Sequence, residues 1–248
     1  MPMYEQKFEI RYYEANKYKE ATPATILTLL QETAASHCLS LGYGVYDLLE
    51  QNVGWVLLSG FFRMESYPEY KENITIKTWI SQYSKSRVTR ESLILNEQGD
   101  IIGSTQGKWI FFDINKQRPA KIFKDMLEQL KLTTQENAKK DIDGGVEIIE
   151  TAKYQKDFIV SRFDVDTNEH LNNIRYFQWL METIPNDIQK DCYLHLLEGR
   201  FIAGACYGDK IKVLTNPHAH KNSFIHTLKE TCDNKVCLVA KTVWKSRK

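Results

Sequence analysis

The amino-acid sequence predicts an α+β protein with two similar domains, each an antiparallel sheet wrapped around one long helix. The first observation is an internal repeat, because residues 14–33 align with residues 164–183 and place Thr33 opposite Thr183. The second is the order of the segments. Each copy has an extended acidic stretch, one amphipathic helix and then four strand-like segments separated by turns.

Apolar residues at helical spacing predict the helix of each copy. In the first copy they are Ile26, Leu27, Leu30 and Ala34, and in the second they are Ile174, Phe177, Leu180, Met181 and Ile184. A strand is predicted before each helix, and the two copies would therefore have the same order of elements.

Alternating and β-branched residues predict four strands after each helix. The predicted strands are 54–64, 73–83, 87–96 and 100–113 in the first copy, and 193–205, 209–216, 223–232 and 235–244 in the second. Trp109 and Trp244 take the same place in the closing strand. The repeat of strand order favours two domains, at 1–130 and 150–248, joined by a polar linker at 131–149.

Composition excludes several classes of protein. The chain has 248 residues, with 33 Lys and Arg against 32 Asp and Glu, which argues against a dedicated nucleic-acid binder. Its five cysteines are an odd number without CxxC spacing, so we expect neither a metal site nor a disulfide framework, and a reducing compartment fits best. No apolar run approaches the roughly 18 residues of a membrane span, and the N-terminus has no signal-like apolar region. We therefore expect a cytoplasmic protein without membrane association.

One polar segment directly before the second helix stands out as a candidate site. Alternate side chains of an extended loop point the same way, so Asp166, Asn168 and His170 can converge. The following helix would direct free N–H groups and a partial positive charge at the same point. A base, an amide and a helix N-terminus suit a reaction that passes through an oxyanion, such as acyl transfer.

Helix capping by Asn172 and a hydrogen-bonded turn at Asp166 would explain the same residues without any chemistry. In the first copy, the positions of the three polar residues hold Asn16, Tyr18 and Glu20. At most one copy therefore carries this chemistry. Two further imidazoles, at His218 and His220, follow Asn216-Pro217 and are expected in an exposed loop.

The chain resembles the acyl-ACP thioesterase family of plant plastids and bacteria. Residues 164–173 look like its D-x-D-x-N-x-H-x-N-N signature. Further matching residues are Arg11–Glu14, Leu30–Ala34, Tyr67-Pro68, Thr78-Trp79, Lys108-Trp109, Tyr176, Trp179 and Glu182. The resemblance implies a tandem, or double, hot-dog fold with the active site in the C-terminal domain and an acyl pocket shaped mainly by the N-terminal one.

The resemblance also implies catalytic roles for Asp166, Asn168 and His170. The implied reaction is hydrolysis of fatty acyl-acyl carrier protein to free fatty acid, which terminates fatty acid synthesis, with no cofactor and no metal. The implied partner is acyl carrier protein bearing a phosphopantetheine-linked acyl chain. A homodimer is possible. Hydrolysis of acyl-CoA at the same site and non-catalytic acyl binding remain alternatives.

The sequence departs from the family at one catalytic position. Plant members carry a catalytic Glu followed by Cys, whereas this chain has Gly204 at the Glu position and its cysteine displaced to Cys206. Either Glu198 or Glu169 takes the role of this catalytic Glu, or the mechanism relies on fewer catalytic groups. We favour direct hydrolysis, in which His170 polarises water, with covalent catalysis by Cys206 as the second route.

An acidic carrier protein would dock on a basic surface. Three clusters of basic residues are candidates, although each of them fits a merely solvated surface equally well. The clusters are Lys85, Arg87 and Arg90; Lys116, Arg118, Lys121 and Lys124; and Lys241, Lys245, Arg247 and Lys248.

Overall fold

The structure is a computed structural model and describes residues 3–130 and 147–247. The chain divides into two compact units, Met1–Asp141 and Ile142–Lys248. Most of the predicted linker lies outside the described residues. Near its end, Ile149 is already buried, and its N–H donates to Thr227 Oγ1 at 3.0 Å.

The first unit is an antiparallel sheet with one long helix against it. Its strands follow the order β1-β3-β4-β5-β2, with the short β6 beside β5. Helix α1 contacts β1 and β3. The elements are β1 (Tyr4–Glu9), α1 (Pro23–Ser40), α2 (Val45–Glu50), β2 (Val53–Met64), β3 (Asn73–Tyr83), β4 (Arg87–Leu95), β5 (Ile101–Asp113), β6 (Arg118–Pro119) and α3 (Lys124–Gln129).

The second unit repeats this arrangement. Its strands follow the order β7-β9-β10-β11-β8, all antiparallel, which matches the order in the first unit. Its helix α4 contacts β9 and β10. The elements are β7 (Tyr154–Ile159), α4 (Asn173–Met181), α5 (Asn186–Asp191), β8 (Cys192–Phe201), β9 (Lys210–Pro217), β10 (Ser223–Glu230) and β11 (Val236–Ser246).

Two predicted elements of the second unit are longer than the observed ones. Helix α4 ends at Met181, and Ile184 lies beyond it, because Pro185 disfavours helical backbone at the residue before it. Strand β8 ends at Phe201, whereas the prediction continued it to Ala205. Cys206 consequently lies beyond β8, directly before a turn, and is exposed.

The core of the first unit contains a guanidinium group. Arg90 Nη1 donates to His37 Nδ1 at 3.1 Å and to Thr78 Oγ1 at 3.1 Å, and Nη2 donates to Cys38 Sγ at 3.6 Å. Arg90 therefore points inward towards α1 and cannot belong to a basic docking face. Burial and the positive charge of Arg90 lower the pKa of His37 to about 4.

The core of the second unit contains a chain of hydrogen bonds through His226. The Thr183 hydroxyl donates to Leu180 O at 2.7 Å, so the Thr215 hydroxyl donates to Thr183 Oγ1 at 2.5 Å. His226 Nδ1–H then donates to Thr215 Oγ1 at 2.8 Å. His226 Nε2 must accept from the Thr242 hydroxyl at 2.9 Å if the ring is neutral. Burial lowers the pKa of His226 to about 3, which is consistent with a neutral ring.

Candidate active site

The loop before α4 is a tight turn and not the extended segment that we predicted. Asp166 Oδ1 accepts the Asn168 N–H at 2.8 Å, and the Asp166 N–H donates to His170 O at 2.8 Å. Glu169 has a φ of 60°, which reverses the chain inside the turn. Local hydrogen bonds, and not strand alternation, therefore bring the three residues together.

The main chain of the loop sets the tautomer of His170. His170 Nδ1 lies 2.7 Å from Asn168 O. A carbonyl oxygen can only accept, so the neutral ring carries its proton on Nδ1 and presents an unprotonated Nε2. His170 is exposed, and Nε2 makes no hydrogen bond within residues 3–130 and 147–247. It is placed to take a proton from water.

The side chains of Asn168 and Asp166 make different contacts in this turn. The side-chain amide of Asn168 is half-buried and makes no hydrogen bond to a described residue, so it can donate to a substrate oxygen. The Asp166 carboxylate accepts a main-chain N–H and has no hydrogen bond to the imidazole of His170 in the described part of the chain. The Asp166 carboxylate thus closes the turn through its hydrogen bond to the main chain.

The cap of α4 satisfies two of the N–H groups at its N-terminus. Asn172 Oδ1 accepts the Ile174 N–H at 2.9 Å, and Asn172 O accepts the Arg175 N–H at 2.9 Å. N–H groups at this helix start were expected to stabilise an oxyanion, but the cap already occupies these two. The Asn168 amide is a further candidate for that role.

A segment after β8 forms the surface against which the loop lies. Leu171 N–H donates to Ala205 O at 2.8 Å, and His170 forms an isolated β-bridge with Cys206. The Ala205 N–H donates in turn to the Tyr176 hydroxyl oxygen at 2.9 Å. Tyr176 is buried, and burial raises its pKa, so the phenol stays neutral. Helix α4 thereby anchors the segment that contacts the imidazole.

Three other predicted candidates do not bind the imidazole. The Cys206 N–H donates to Asp209 Oδ2 at 2.7 Å, but its thiol makes no hydrogen bond to a described residue, so no thiol–imidazole pair is formed. Glu198 lies on β8 in register with Lys241, and Glu169 is exposed. Within the described ranges, neither carboxylate has a hydrogen bond to His170.

The first unit contains the same turn with different side chains. Asn16 Oδ1 accepts the Tyr18 N–H at 2.8 Å, and the Asn16 N–H donates to Glu20 O at 2.7 Å. Lys19 has a φ of 65° and so corresponds to Glu169. The internal repeat thus extends to single hydrogen bonds, but this copy has a carboxylate where the other has an imidazole.

The repeat also relates the two segments that face these turns. Glu20 bridges Glu69 as His170 bridges Cys206. The residues that follow the bridges are Tyr70 and Tyr207. The sequence did not predict the contact of the imidazole with the segment after β8. Tyr176 and Gly204 entered the sequence analysis only as positions compared with the family. Extending the sequence repeat to the bridge partners could have revealed it.

Among residues 3–130 and 147–247, no group of three or more His, Cys, Asp or Glu side chains could hold a metal ion. In the same ranges, no helix is long and apolar enough to cross a membrane.

Two units with the same strand order define a double hot-dog protein. In one turn of its second unit, His170 Nε2 and the Asn168 side-chain amide have no hydrogen-bond partner among the described residues. The chain belongs to the acyl-ACP thioesterase family. The model of the family's N-terminal domain matches residues 2–130, and the model of its C-terminal domain matches residues 149–246.

Curated relatives are plant enzymes. The chain is 24% identical to an oleoyl-acyl carrier protein thioesterase of Coriandrum sativum over 90% of its own length. It is 27% identical to oleoyl-acyl carrier protein thioesterase 1 of Arabidopsis thaliana over 75% of its length. Both are described as chloroplastic, and the matches cover only 64% and 56% of them.

Solved structures confirm the double hot-dog fold. An acyl-ACP thioesterase from Bacteroides thetaiotaomicron superposes with a TM-score of 0.87 at 18% identity, covering 98% of both chains. The 12:0-ACP thioesterase from Umbellularia californica gives a TM-score of 0.89 at 18% identity, covering 100% of this chain and 98% of the other.

Proposed function

We propose that the protein hydrolyses fatty acyl thioesters on acyl carrier protein and releases free fatty acid. One observation carries the proposal: the bond of His170 Nδ1 to Asn168 O leaves Nε2 unprotonated, in a turn whose Asn168 amide has no hydrogen-bond partner in the described residues. The family supports a thioester as substrate, and the plant relatives support acyl carrier protein as its carrier.

The reaction begins with a water molecule at His170 Nε2. The imidazole accepts a proton from water while the oxygen attacks the thioester carbonyl, and the Asn168 amide donates to the resulting oxyanion. The C–S bond then breaks, and the imidazolium returns its proton to the leaving thiolate. A general base contributes about 10²–10⁴-fold and one oxyanion donor about 10²–10³-fold.

The second unit would therefore be the catalytic domain. The first unit has the same turn, but Glu20 occupies the place of His170. With no imidazole in that turn, we assign the first unit to shaping the acyl pocket, as the family resemblance implies. A cytoplasmic location is part of the proposal and is supported by five free cysteines, although the curated relatives are chloroplastic.

Release of free thiol from acyl-ACP and acyl-CoA tests this function. We expect release from acyl-ACP that His170→Ala abolishes and that His218→Ala, a change in an exposed loop, leaves intact. Faster release from acyl-CoA would identify the carrier as coenzyme A. Acyl binding without release from either substrate would identify a non-catalytic binding protein and contradict the proposal.

A further inference from the structure

Two aromatic side chains beside the catalytic turn are unusually exposed. Phe163 is 90% exposed and Tyr207 is 56% exposed. Phe163 precedes Asp164, whose carbonyl oxygen accepts the Asn172 N–H at 2.8 Å, and Tyr207 follows Cys206. Both aromatics are thus directly continuous with main chain that holds His170 in place. Exposed apolar side chains that form a contiguous patch can mark an interaction surface.

A cation lies on this surface. The guanidinium of Arg162 stacks over the ring of Tyr207, with 4.7 Å between its central carbon and the ring centroid. Arg162 is exposed and forms no ion pair within the described residues. Stacking on an aromatic ring holds the guanidinium in one orientation while its N–H groups remain available for carboxylates.

Nearby carboxylates are already engaged by other groups. Asp164 accepts the Ser161 N–H at 2.9 Å and pairs with Arg175 at 3.3 Å. Asp209 accepts the Cys206 N–H at 2.7 Å. Neither of these two acids neutralises Arg162, which remains available to a partner of opposite charge.

The first unit provides an internal comparison. Its equivalent residues are Tyr12, Tyr13 and Tyr70, where Tyr13 is 96% exposed and Tyr12 packs edge-on against Tyr70 at 6.5 Å. The aromatic arrangement is repeated, and Lys71 Nζ lies 5.6 Å from the centroid of the Tyr70 ring. Lys71 is paired with Glu9 at 2.8 Å, whereas Arg162 forms no ion pair within the described residues.

We propose that Arg162, Phe163 and Tyr207 form the surface on which acidic acyl carrier protein docks to present its thioester to His170. This carrier patch rests on the proposed function and specifies its partner. Arg162 would attract carboxylates of the carrier, and Phe163 would bury apolar area against it. In the basic clusters considered from the sequence, no described residue is adjacent in the chain to the catalytic turn, and Lys248 lies outside the described residues.

Charge reversal and apolar truncation test the carrier patch separately. For Arg162→Glu we expect KM for acyl-ACP to rise about tenfold and to lose much of its salt dependence, while kcat changes less than about twofold. For Phe163→Ser we expect a similar rise in KM with unchanged salt dependence. The rates of acyl-CoA and acyl-pantetheine hydrolysis should not change, since neither substrate contains the carrier protein.

Matched changes in the first unit serve as controls. Tyr13→Ser removes an equally exposed aromatic from the equivalent position, and Arg118→Glu makes the same charge change on the exposed β6. We expect wild-type KM for acyl-ACP in both. If Arg118→Glu raises KM as much as Arg162→Glu does, the rise results from net charge alone, and the proposal is contradicted.

Other outcomes would overturn the carrier patch in distinguishable ways. If Arg162→Glu raises KM for acyl-CoA in parallel, Arg162 binds the phosphate of the phosphopantetheine arm. Slower hydrolysis of acyl-pantetheine would mean that the substitution disturbs the catalytic turn. A change in the oligomeric state of Phe163→Ser, measured by light scattering, would mean that Phe163 makes a contact between copies of the protein. If the wild type hydrolyses no acyl-ACP, the proposed function fails. Binding of holo-ACP to wild type and Arg162→Glu then tests docking alone, and equal affinity refutes it.

Discussion

The imidazole of His170 lies directly against the main chain of Gly204. A Cβ atom added to Gly204 would be 2.5 Å from His170 Cδ2 and 3.3 Å from Nε2. The φ of Gly204 lies outside the left-handed region, so only the ring opposes a side chain here. The imidazole thus occupies the space in which the Glu side chain of the plant members would begin.

Replacing Gly204 with Ala should displace the imidazole. We expect kcat to fall at least about tenfold with little change in KM or Tm, because a poorly placed base loses the alignment that catalysis needs. Steady-state kinetics and thermal unfolding measure both effects. In a His170→Ala background the same change should have no further effect, since no ring remains to be displaced. Wild-type kcat in the single variant would contradict this relationship.

The base and the amide should each be essential for turnover. We expect His170→Ala to lower kcat at least about a hundredfold and Asn168→Ala to lower it about 10²–10³-fold, by loss of the base and of an oxyanion donor. Tm should be unchanged for His170→Ala because the side chain is exposed. A variant that keeps near-full activity and normal Tm would remove that residue from the mechanism.

The carboxylate of Asp166 should be replaceable by an amide. Asn16 makes the same bond in the first unit, from its Oδ1 to the Tyr18 N–H. Asp166→Asn should therefore keep kcat within about tenfold, whereas Asp166→Ala should lower it further by opening the turn. If kinetic assays show both variants to be equally inactive, the negative charge of Asp166 has a direct role in the chemistry.

The thiol of Cys206 should be dispensable. It is exposed and forms no hydrogen bond with His170 in the described residues, so nothing activates it as a nucleophile. Cys206→Ser should retain most of kcat. Mass spectrometry of the enzyme quenched during turnover should show no acyl adduct, and an adduct on Cys206 would establish the covalent route instead.

The buried His226 should make the protein less stable in acid. Its pKa is lowered to about 3 in the folded state, whereas the unfolded side chain titrates near 6.5. Between these values the unfolded state binds a proton that the folded state does not. The free energy of unfolding should therefore fall as pH drops below about 6.5, by up to about 1.4 kcal/mol per pH unit.

Urea unfolding at several pH values between 7 and 4 measures this slope. His226→Gln disturbs the buried hydrogen bonds, so its free energy of unfolding should be lower at pH 7. Because the variant cannot bind the proton, this free energy should fall less steeply with acid. His37, whose pKa is lowered to about 4, adds its own acid sensitivity in both proteins. Parallel slopes in wild type and His226→Gln would show that His226 is not the group responsible.

The sequence by itself determined the repeat and the candidate residues, because both depend on local patterns. Helical spacing and strand alternation are visible within a single segment, and β3 spans the predicted residues 73–83. The turn from Asp166 to His170 is likewise built from hydrogen bonds between near neighbours in the chain.

Only the tertiary structure decided which distant groups meet these local elements. The contact of His170 with Gly204 joins residues that are far apart in sequence, and the end of β8 at Phe201 gives Gly204 its position outside the strand. The inward direction of Arg90 depends on α1 packing over β3 and β4, which no pattern of charges along the chain reveals. Long-range packing sets these positions, since each depends on where another element places its side chains.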